Sequence, residues 1–185
     1  ISGYDEIMVT SQVAGDNIRK EKRDSKNAWI PTTHWVAGFI WHYVMKANRE
    51  NFLYDLTRID GEAIQYTKYE EGQFYDWHQD GGLEQYHKPE TVISYEKHKD
   101  ESIRNFLNEN TEHVRKLSFV LQLSHPDDYE GGNLELVDES GQNYIAPRRR
   151  GTMILFDSRT KHRVNPITKG CRRSLVGWTV GPRWR

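Results

Sequence analysis

The chain has 185 residues, 29% charged and 36% hydrophobic, with six Trp, ten Tyr and six Phe. That length and balance suit one domain with a sizeable core and exclude a disordered or fibrous chain. A formal net charge of −1 offers no global field for nucleic acid or an anionic membrane, and no apolar run approaches a membrane span.

The opening residues, Ile1-Ser2-Gly3-Tyr4-Asp5-Glu6, do not read as a signal peptide. The single cysteine, Cys171, permits no internal disulfide, so a cytoplasmic setting is expected, or the host-cell cytoplasm if the chain is viral. Residues 15–28 are charged and bear Gly and Asn, which predicts a loop. Pro31-Thr32-Thr33 is a helix start signal with Thr near the N-cap. Trp35/Val36, Phe39/Ile40, Tyr43/Val44 and Ala47 then recur at helical spacing, which predicts a helix from about 33 to 56 with its aromatic stripe in the core.

Beyond Gly61 the period changes. Segments 63–70, 73–80, 115–124, 133–138, 142–147, 152–157 and 173–180 are short and rich in β-branched or aromatic residues, with Gly- and Asp-bearing turns between them. The expected fold class is therefore mainly β, a sandwich or barrel core over about 60–181 packed against N-terminal helices. Residues 81–113 break the rhythm; they are polar and rich in His, Lys and Glu, and are expected to form a lid beside the candidate site.

That site is suggested by a His-x-Asp pair. Two histidines and one carboxylate on one face of an Fe(II) ion leave the opposite face open for cosubstrate and oxygen. On a strand, residues i and i+2 point the same way, so His-x-Asp supplies two such ligands. The pattern alone is weak: eight His and twelve Asp give about half an occurrence by chance, and three are present. His98-Lys99-Asp100 lies in a charged run that reads as a solvated face. His125-Pro126-Asp127 carries a proline and leads into a turn. His78-Gln79-Asp80 follows the strand-like Phe74-Tyr75-Asp76-Trp77 and precedes Gly81-Gly82, and is the candidate.

Its surroundings carry a resemblance. Tyr69, Gly72, Tyr75, His78 and Asp80 match the pattern Y-x-x-G-x-x-Y-x-x-H-x-D, Glu130-Gly131-Gly132-Asn133-Leu134 matches an E-G-G-x-L turn, and residues 151–181 match a C-terminal block with a distal histidine, His162, and a cation ten positions later, Arg172. Over roughly residues 60–181 the chain resembles the prolyl 4-hydroxylase-like family of Fe(II)/2-oxoglutarate-dependent dioxygenases, closest to its bacterial and phage-type members. Two departures are Asp157, where many relatives carry Pro, and Arg172, where collagen-type enzymes carry Lys.

The resemblance implies a double-stranded β-helix, the cupin-like jelly roll, as a single domain over 1–185. It implies iron on His78, Asp80 and His162, with 2-oxoglutarate and O2 as cosubstrates and ascorbate as a candidate reductant. Arg172 and Ser174, two apart on one strand, would meet the far carboxylate of 2-oxoglutarate, with a guanidinium fork suited to it. Tyr69 would donate its phenol to the cosubstrate, Gln122 would approach the far carboxylate, and Tyr75 and Trp178 would line the peptide side. The implied reaction hydroxylates a C–H bond, releasing succinate and CO2, with a prolyl residue of a peptide or protein as the first choice of substrate. Alternatives are a free amino acid, or a nucleic acid met by Arg148, Arg149, Arg150, Arg159, Lys161 and Arg163, against which the net charge argues. A non-enzymatic jelly-roll binding module is a further alternative, though no ligand is missing. Oligomeric state is left open.

Overall fold

The computed structural model describes residues 2–11, 19–81 and 113–184, so the predicted lid lies almost wholly outside the described residues. A short 3-10 turn (Ser2–Ile7) leads into β1 (Val9–Thr10), β2 (Arg23–Asp24) and β3 (Lys26–Pro31). Helix α1 (Trp35–Ala47) follows, then β4 (Arg58–Ile59), β5 (Ala63–Tyr69) and β6 (Phe74–His78). Next come β7 (His113–Gln122), β8 (Tyr129–Gly131), β9 (Leu134–Val137) and β10 (Asn143–Ile145). The last four are β11 (Met153–Asp157), β12 (His162–Val164), β13 (Ile167–Gly170) and β14 (Arg172–Pro182).

Among the described residues, the larger sheet runs β1-β3-β5-β14-β7-β11 with β4 paired to β14, and the smaller runs β10-β9-β12-β6-β2; all pairings are antiparallel. Alternation along the strands gives the larger sheet two apolar faces. One carries Ile30, Ile64, Phe119 and Leu175 and packs under α1. The other meets the smaller sheet across a second cluster of Tyr69, Val120, Phe156, Leu134, Leu136 and Val164. The expected mainly-β class is therefore present, with the candidate ligands on strands that face this second cluster.

Four expectations are corrected. The helix is shorter than 33–56: the α-helix stops at Ala47, one π-type turn spans Asn48–Phe52, and Leu53 is left-handed at φ 56°. The buried Asn48 ends it, since its side-chain amide donates to the carbonyl of Tyr54 at 2.8 Å and its carbonyl accepts from the Tyr54 N–H at 3.0 Å. The N-cap is His34 rather than a threonine, its Nδ1 accepting from the Val36 N–H at 3.3 Å.

The aromatic stripe is not core. Val36, Ala37, Ile40 and Val44 are buried, whereas Trp35, Phe39 and Tyr43 are 72%, 49% and 44% exposed and stack edge to face along the outer side of α1. Adjacent positions of a helix point about 100° apart, so of two neighbouring apolar stripes only one can face the sheet. Finally, the predicted loop at 15–28 contains strands β2 and the start of β3. Their buried residues are polar but paired: Arg23 Nε donates to Ser25 Oγ at 3.0 Å, and that hydroxyl contacts Ser11 Oγ at 2.8 Å.

Candidate metal centre

His78 ends β6 and His162 begins β12, and the antiparallel register sets these two residues directly opposite each other. Their rings lie 4.1 Å apart between centroids. Asp80, two residues past the end of β6, turns its carboxylate between them: Oδ1 is 3.5 Å from His78 Nε2 and Oδ2 is 3.3 Å from His162 Nε2. One ligand atom from each of the three lies within 4.8 Å of the others, so a single ion could touch all three.

Each imidazole is aimed through its second nitrogen. Nδ1 of His78 lies 2.8 Å from the carbonyl of Asp76, and Nδ1 of His162 lies 2.8 Å from that of Thr160. A carbonyl only accepts, so each Nδ1 carries the proton and each Nε2 is left to face Asp80. The rings are also packed. Tyr75 stacks on His78 at 3.5 Å and 16°, with Arg23 4.7 Å over the Tyr75 ring, and Phe156 meets His162 edge-on at 4.7 Å.

Asp80 is supported from the larger sheet. Ser118 Oγ, on β7, donates to Asp80 Oδ2 at 2.8 Å and lies 3.0 Å from Ser158 Oγ. The carbonyl of Ser158 accepts from the N–H groups of Asp80 and Gly81, both at 2.9 Å. Arg115 donates from Nη1 to the Asp80 carbonyl at 3.2 Å and from Nε to Asp60 at 2.7 Å. A Cβ on Gly81 would meet Arg115 Cβ and Ser158 Cβ at 3.2 Å, so this corner has little room for a side chain.

The three groups shift one another. Burial raises the Asp80 carboxyl, but the charge and hydrogen bond of His162 and that of His78 win and hold it well below the usual carboxylate range. Burial pulls His162 down, yet the Asp80 charge and hydrogen bond lift it above its ordinary value. For His78 burial prevails, aided by the nearby His162, and its pKa is lowered. A proton is therefore favoured on the His162–Asp80 pair and disfavoured on His78. Burial also pushes the Tyr75 phenol up to about 12.

Along the same face of the larger sheet lies a second polar group. Arg172, only 1% exposed, opposes Tyr69 across β14 and β5, and Ser174 opposes Gln122 across β14 and β7. Arg172 Nη2 donates to Gln122 Oε1 at 2.9 Å, and the guanidinium lies 5.7 Å from the Tyr69 ring. Arg172 Nε and Ser174 Oγ are buried and have no hydrogen-bond partner, and no carboxylate pairs with Arg172 among the described residues. Burial, with a smaller contribution from the nearby Arg148 charge, depresses the Arg172 pKa. Arg173 points the other way and pairs with Asp5 at 3.6 Å.

The remaining candidates divide. Trp178 is the cross-strand partner of Ser118; Arg115 lies 3.9 Å over its ring and Trp29 6.5 Å away. Tyr75 is committed by its stack to His78. His125 and Asp127 form an exposed turn cap, while His98 and Asp100 lie outside the described residues. Two of the six rim cations are paired, Arg159 with Asp157 and Arg163 with Glu135; Arg149 and Arg150 are exposed and Arg148 turns inward. Sequence reasoning gave no site role to Ser158, Arg115 or Ser118; hydroxyl and backbone contacts leave no motif.

The profile of the family described as the 2OG-Fe(II) oxygenase superfamily matches residues 64–180. A PKHD-type hydroxylase of Synechococcus sp. (strain JA-2-3B'a(2-13)) is 38% identical over 90 residues, which is 48% of this chain and 38% of that protein. A PKHD-type hydroxylase of Janthinobacterium sp. (strain Marseille) is 28% identical over 155 residues, 83% of this chain and 59% of that protein. The aligned regions thus span between about two fifths and three fifths of these relatives' lengths. Among solved structures, a Pseudomonas putida prolyl-4-hydroxylase superposes with a TM-score of 0.64 at 19% identity, covering 95% of this chain and 78% of that one. A Trichoplax adhaerens prolyl hydroxylase in complex with a hypoxia inducible factor peptide fragment gives 0.68 at 16%, covering 95% and 71%. These likenesses place the chain in the jelly-roll fold.

Proposed function

The chain belongs to the 2OG-Fe(II) oxygenase superfamily, and we propose that it hydroxylates a C–H bond of a prolyl residue in a peptide or protein, consuming 2-oxoglutarate and O2 and releasing succinate and CO2. The whole chain, residues 1–185, is read as one such domain, with ascorbate as a reductant. No helix among the described residues is long and apolar enough to cross a membrane; a cytoplasmic setting is proposed from the single Cys171.

The observation that carries the reading is a buried cation with no anion beside it among the described residues. Arg172 Nε and Ser174 Oγ are both unpartnered on the face shared with Ser118, which braces Asp80. Leaving such groups unpaired costs on the order of 1–3 kcal/mol each or more. A carboxylate would satisfy both, so the residues fit the far end of a keto diacid. The donor set fits too: two neutral imidazole nitrogens and one carboxylate oxygen suit Fe(II) and leave positions for a chelating keto acid.

When bound, iron with 2-oxoglutarate and O2 supplies the oxidising chemistry. His78, Asp80 and His162 would hold the ion, while Arg172, Ser174, Gln122 and Tyr69 would hold and orient the cosubstrate. The Tyr75 stack and the Phe156 edge fix the imidazoles and keep water from their flanks. Trp178, next to Ser118 across the sheet, and Tyr75 are proposed to face the peptide. An aromatic surface suits an extended proline-bearing segment, whose conformation is already restricted.

The test is succinate release with Fe(II), 2-oxoglutarate, ascorbate and air, together with a peptide library screened by mass for one added oxygen on Pro. No succinate under any condition, even uncoupled, would remove the enzyme reading. Succinate with oxygen added only to a free amino acid or nucleic acid would remove the peptide reading. His162→Ala is expected to abolish turnover while the protein stays folded. Arg172→Ala is expected to raise the 2-oxoglutarate requirement roughly tenfold to a hundredfold, the equivalent of one charge-assisted contact of about 1.5–3 kcal/mol.

A further inference from the structure

A second guanidinium, that of Arg148, follows directly on Pro147, whose carbonyl holds the Gln122 that Arg172 bonds, and it has no task in the proposed reaction. Arg148 belongs to the segment between β10 and β11. Its neighbours Arg149 and Arg150 are exposed, but its own side chain turns inward. Nη1 donates to Asn133 Oδ1 at 3.2 Å, and Nη2 donates to the carbonyls of Tyr129 at 2.7 Å and Pro126 at 3.3 Å. Its Cζ lies 4.2 Å over the Tyr129 ring, and its Nε is buried without a partner. Like Arg172, it has no carboxylate partner among the described residues.

Two paths tie this residue to Arg172. Gln122 accepts from Arg172 through Oε1 and donates through Nε2 to the carbonyl of Pro147, the residue before Arg148, at 3.3 Å. Tyr129, 4% exposed and held under the Arg148 guanidinium, lies close enough to Arg172 to favour its charge, and Arg148 itself is near enough to oppose it. A buried guanidinium and a partly buried one are thus linked through Gln122, with carbonyls rather than acids holding Arg148. Such an arrangement is costly without an anion and becomes favourable when one binds beside Arg172.

We propose that Arg148 is a positioning residue: by clamping Tyr129 and anchoring the segment whose Pro147 carbonyl holds Gln122, it keeps Arg172 in place and so sets the chain length of the 2-oxo diacid accepted. This rests on the cosubstrate reading of Arg172. A guanidinium braced on both sides cannot retreat, so a diacid one carbon longer would collide with it and one carbon shorter would fall short. Loosening the brace lets Arg172 move outward, which costs affinity for the five-carbon acid and admits the longer one.

The experiment uses the whole chain and the variants Arg148→Met, Arg148→Lys and Tyr129→Phe. Binding of 2-oxoglutarate, oxaloacetate and 2-oxoadipate to Mn(II)-loaded protein is followed by tryptophan fluorescence, and KM and kcat are measured with Fe(II). Arg148→Met is expected to weaken 2-oxoglutarate about tenfold in both Kd and KM, with kcat changed less than twofold. The preference for 2-oxoglutarate over 2-oxoadipate should fall at least fivefold, and Arg148→Lys should recover part of it. Should Arg148→Met not fold, Arg148→Lys and Tyr129→Phe must each lower the chain-length preference in the same direction. Preferences equal to the parent protein's in the folded variants would overturn the proposal. Failure of the parent protein to bind any of the three acids would instead strike the cosubstrate reading itself.

Discussion

Asp80 is the residue on which the centre turns, and its aim depends on a hydroxyl. Ser118 Oγ donates to Asp80 Oδ2 while Ser158 lies 3.0 Å behind it, and both serines are buried. Groups that orient a metal-binding carboxylate in this way are typically worth 10–100-fold in affinity. Ser118→Ala is therefore expected to weaken Mn(II) binding by about that factor with little loss of stability, checked by calorimetric titration. An unchanged Kd would mean that the backbone contacts to Ser158 suffice to aim the carboxylate. The same titration reads the proton on the metal-free site. His162 is lifted above its ordinary value of 6.5 by Asp80, so at pH 6.5 more than half of the molecules carry that proton. A metal needs the neutral ring, so binding must release it. Affinity should rise with pH through and above 6.5, and calorimetry in two buffers of different ionisation enthalpy at pH 6.5 should show a proton released. Identical heats in the two buffers would place the proton elsewhere.

At the level of elements, strand register creates a problem that one carboxylate solves. Pairing of β3 with β5 sets Lys26 directly opposite Lys68, a repulsive cross-strand pair. Glu70, just past the end of β5, bonds both ammonium groups at 2.8 Å. Those hydrogen bonds, from Lys26 and then Lys68, pull its pKa down to about 2. A lowered folded-state pKa means that the stabilisation is fully present above the ordinary value of 4.5 and is lost as pH falls toward about 2. The groups are 20–45% exposed, so the effect is modest. Glu70→Gln is expected to cost less than about 1 kcal/mol at pH 7, and the gap between the two proteins' melting temperatures should close between pH 4.5 and 2. A gap that persisted at pH 2 would point to packing instead.

Elements also show what was legible. Strands β11 and β14 were readable because each carries a run of aliphatic, aromatic or β-branched residues next to turn residues. The helix end was not, because Asn48 acts by folding back on the Tyr54 backbone, a contact with no periodic signature. Strand β2 and the start of β3 were hidden by polarity, since Arg23 and Ser25 are buried through pairing with each other and with Ser11 rather than hydrophobicity. Of the candidate site, periodicity pointed to His78 and Asp80. The placing of His162 opposite His78 joins residues 84 apart, and only the family resemblance anticipated it. Ser158 acts through its backbone carbonyl and a hydroxyl contact, and Arg115 through a bond to the Asp80 backbone carbonyl, contacts that leave no sequence pattern.

At the scale of the molecule, the two sheets divide the labour. The candidate metal ligands are carried by β6, the turn after it and β12 on the smaller sheet, while Arg172, Ser174, Gln122 and Tyr69 belong to the larger one. In the proposed complex, a keto diacid chelating the ion at one end and meeting Arg172 at the other would span the gap between the sheets. Each ligand present at 100 times its Kd stabilises the folded state by about 2.7 kcal/mol. For a chain of this length that is roughly 5–10 °C in melting temperature. Mn(II) and 2-oxoglutarate together should raise the melting temperature by more than the sum of the separate shifts, because the diacid gains its chelating contact only when the ion is present. Arg172→Ala should keep the shift from Mn(II) alone and lose most of the further gain from 2-oxoglutarate. His162→Ala should lose both. The coupling decides between this bridging arrangement and two independent sites: strictly additive shifts in the parent protein would mean that the diacid does not reach across from one sheet to the other.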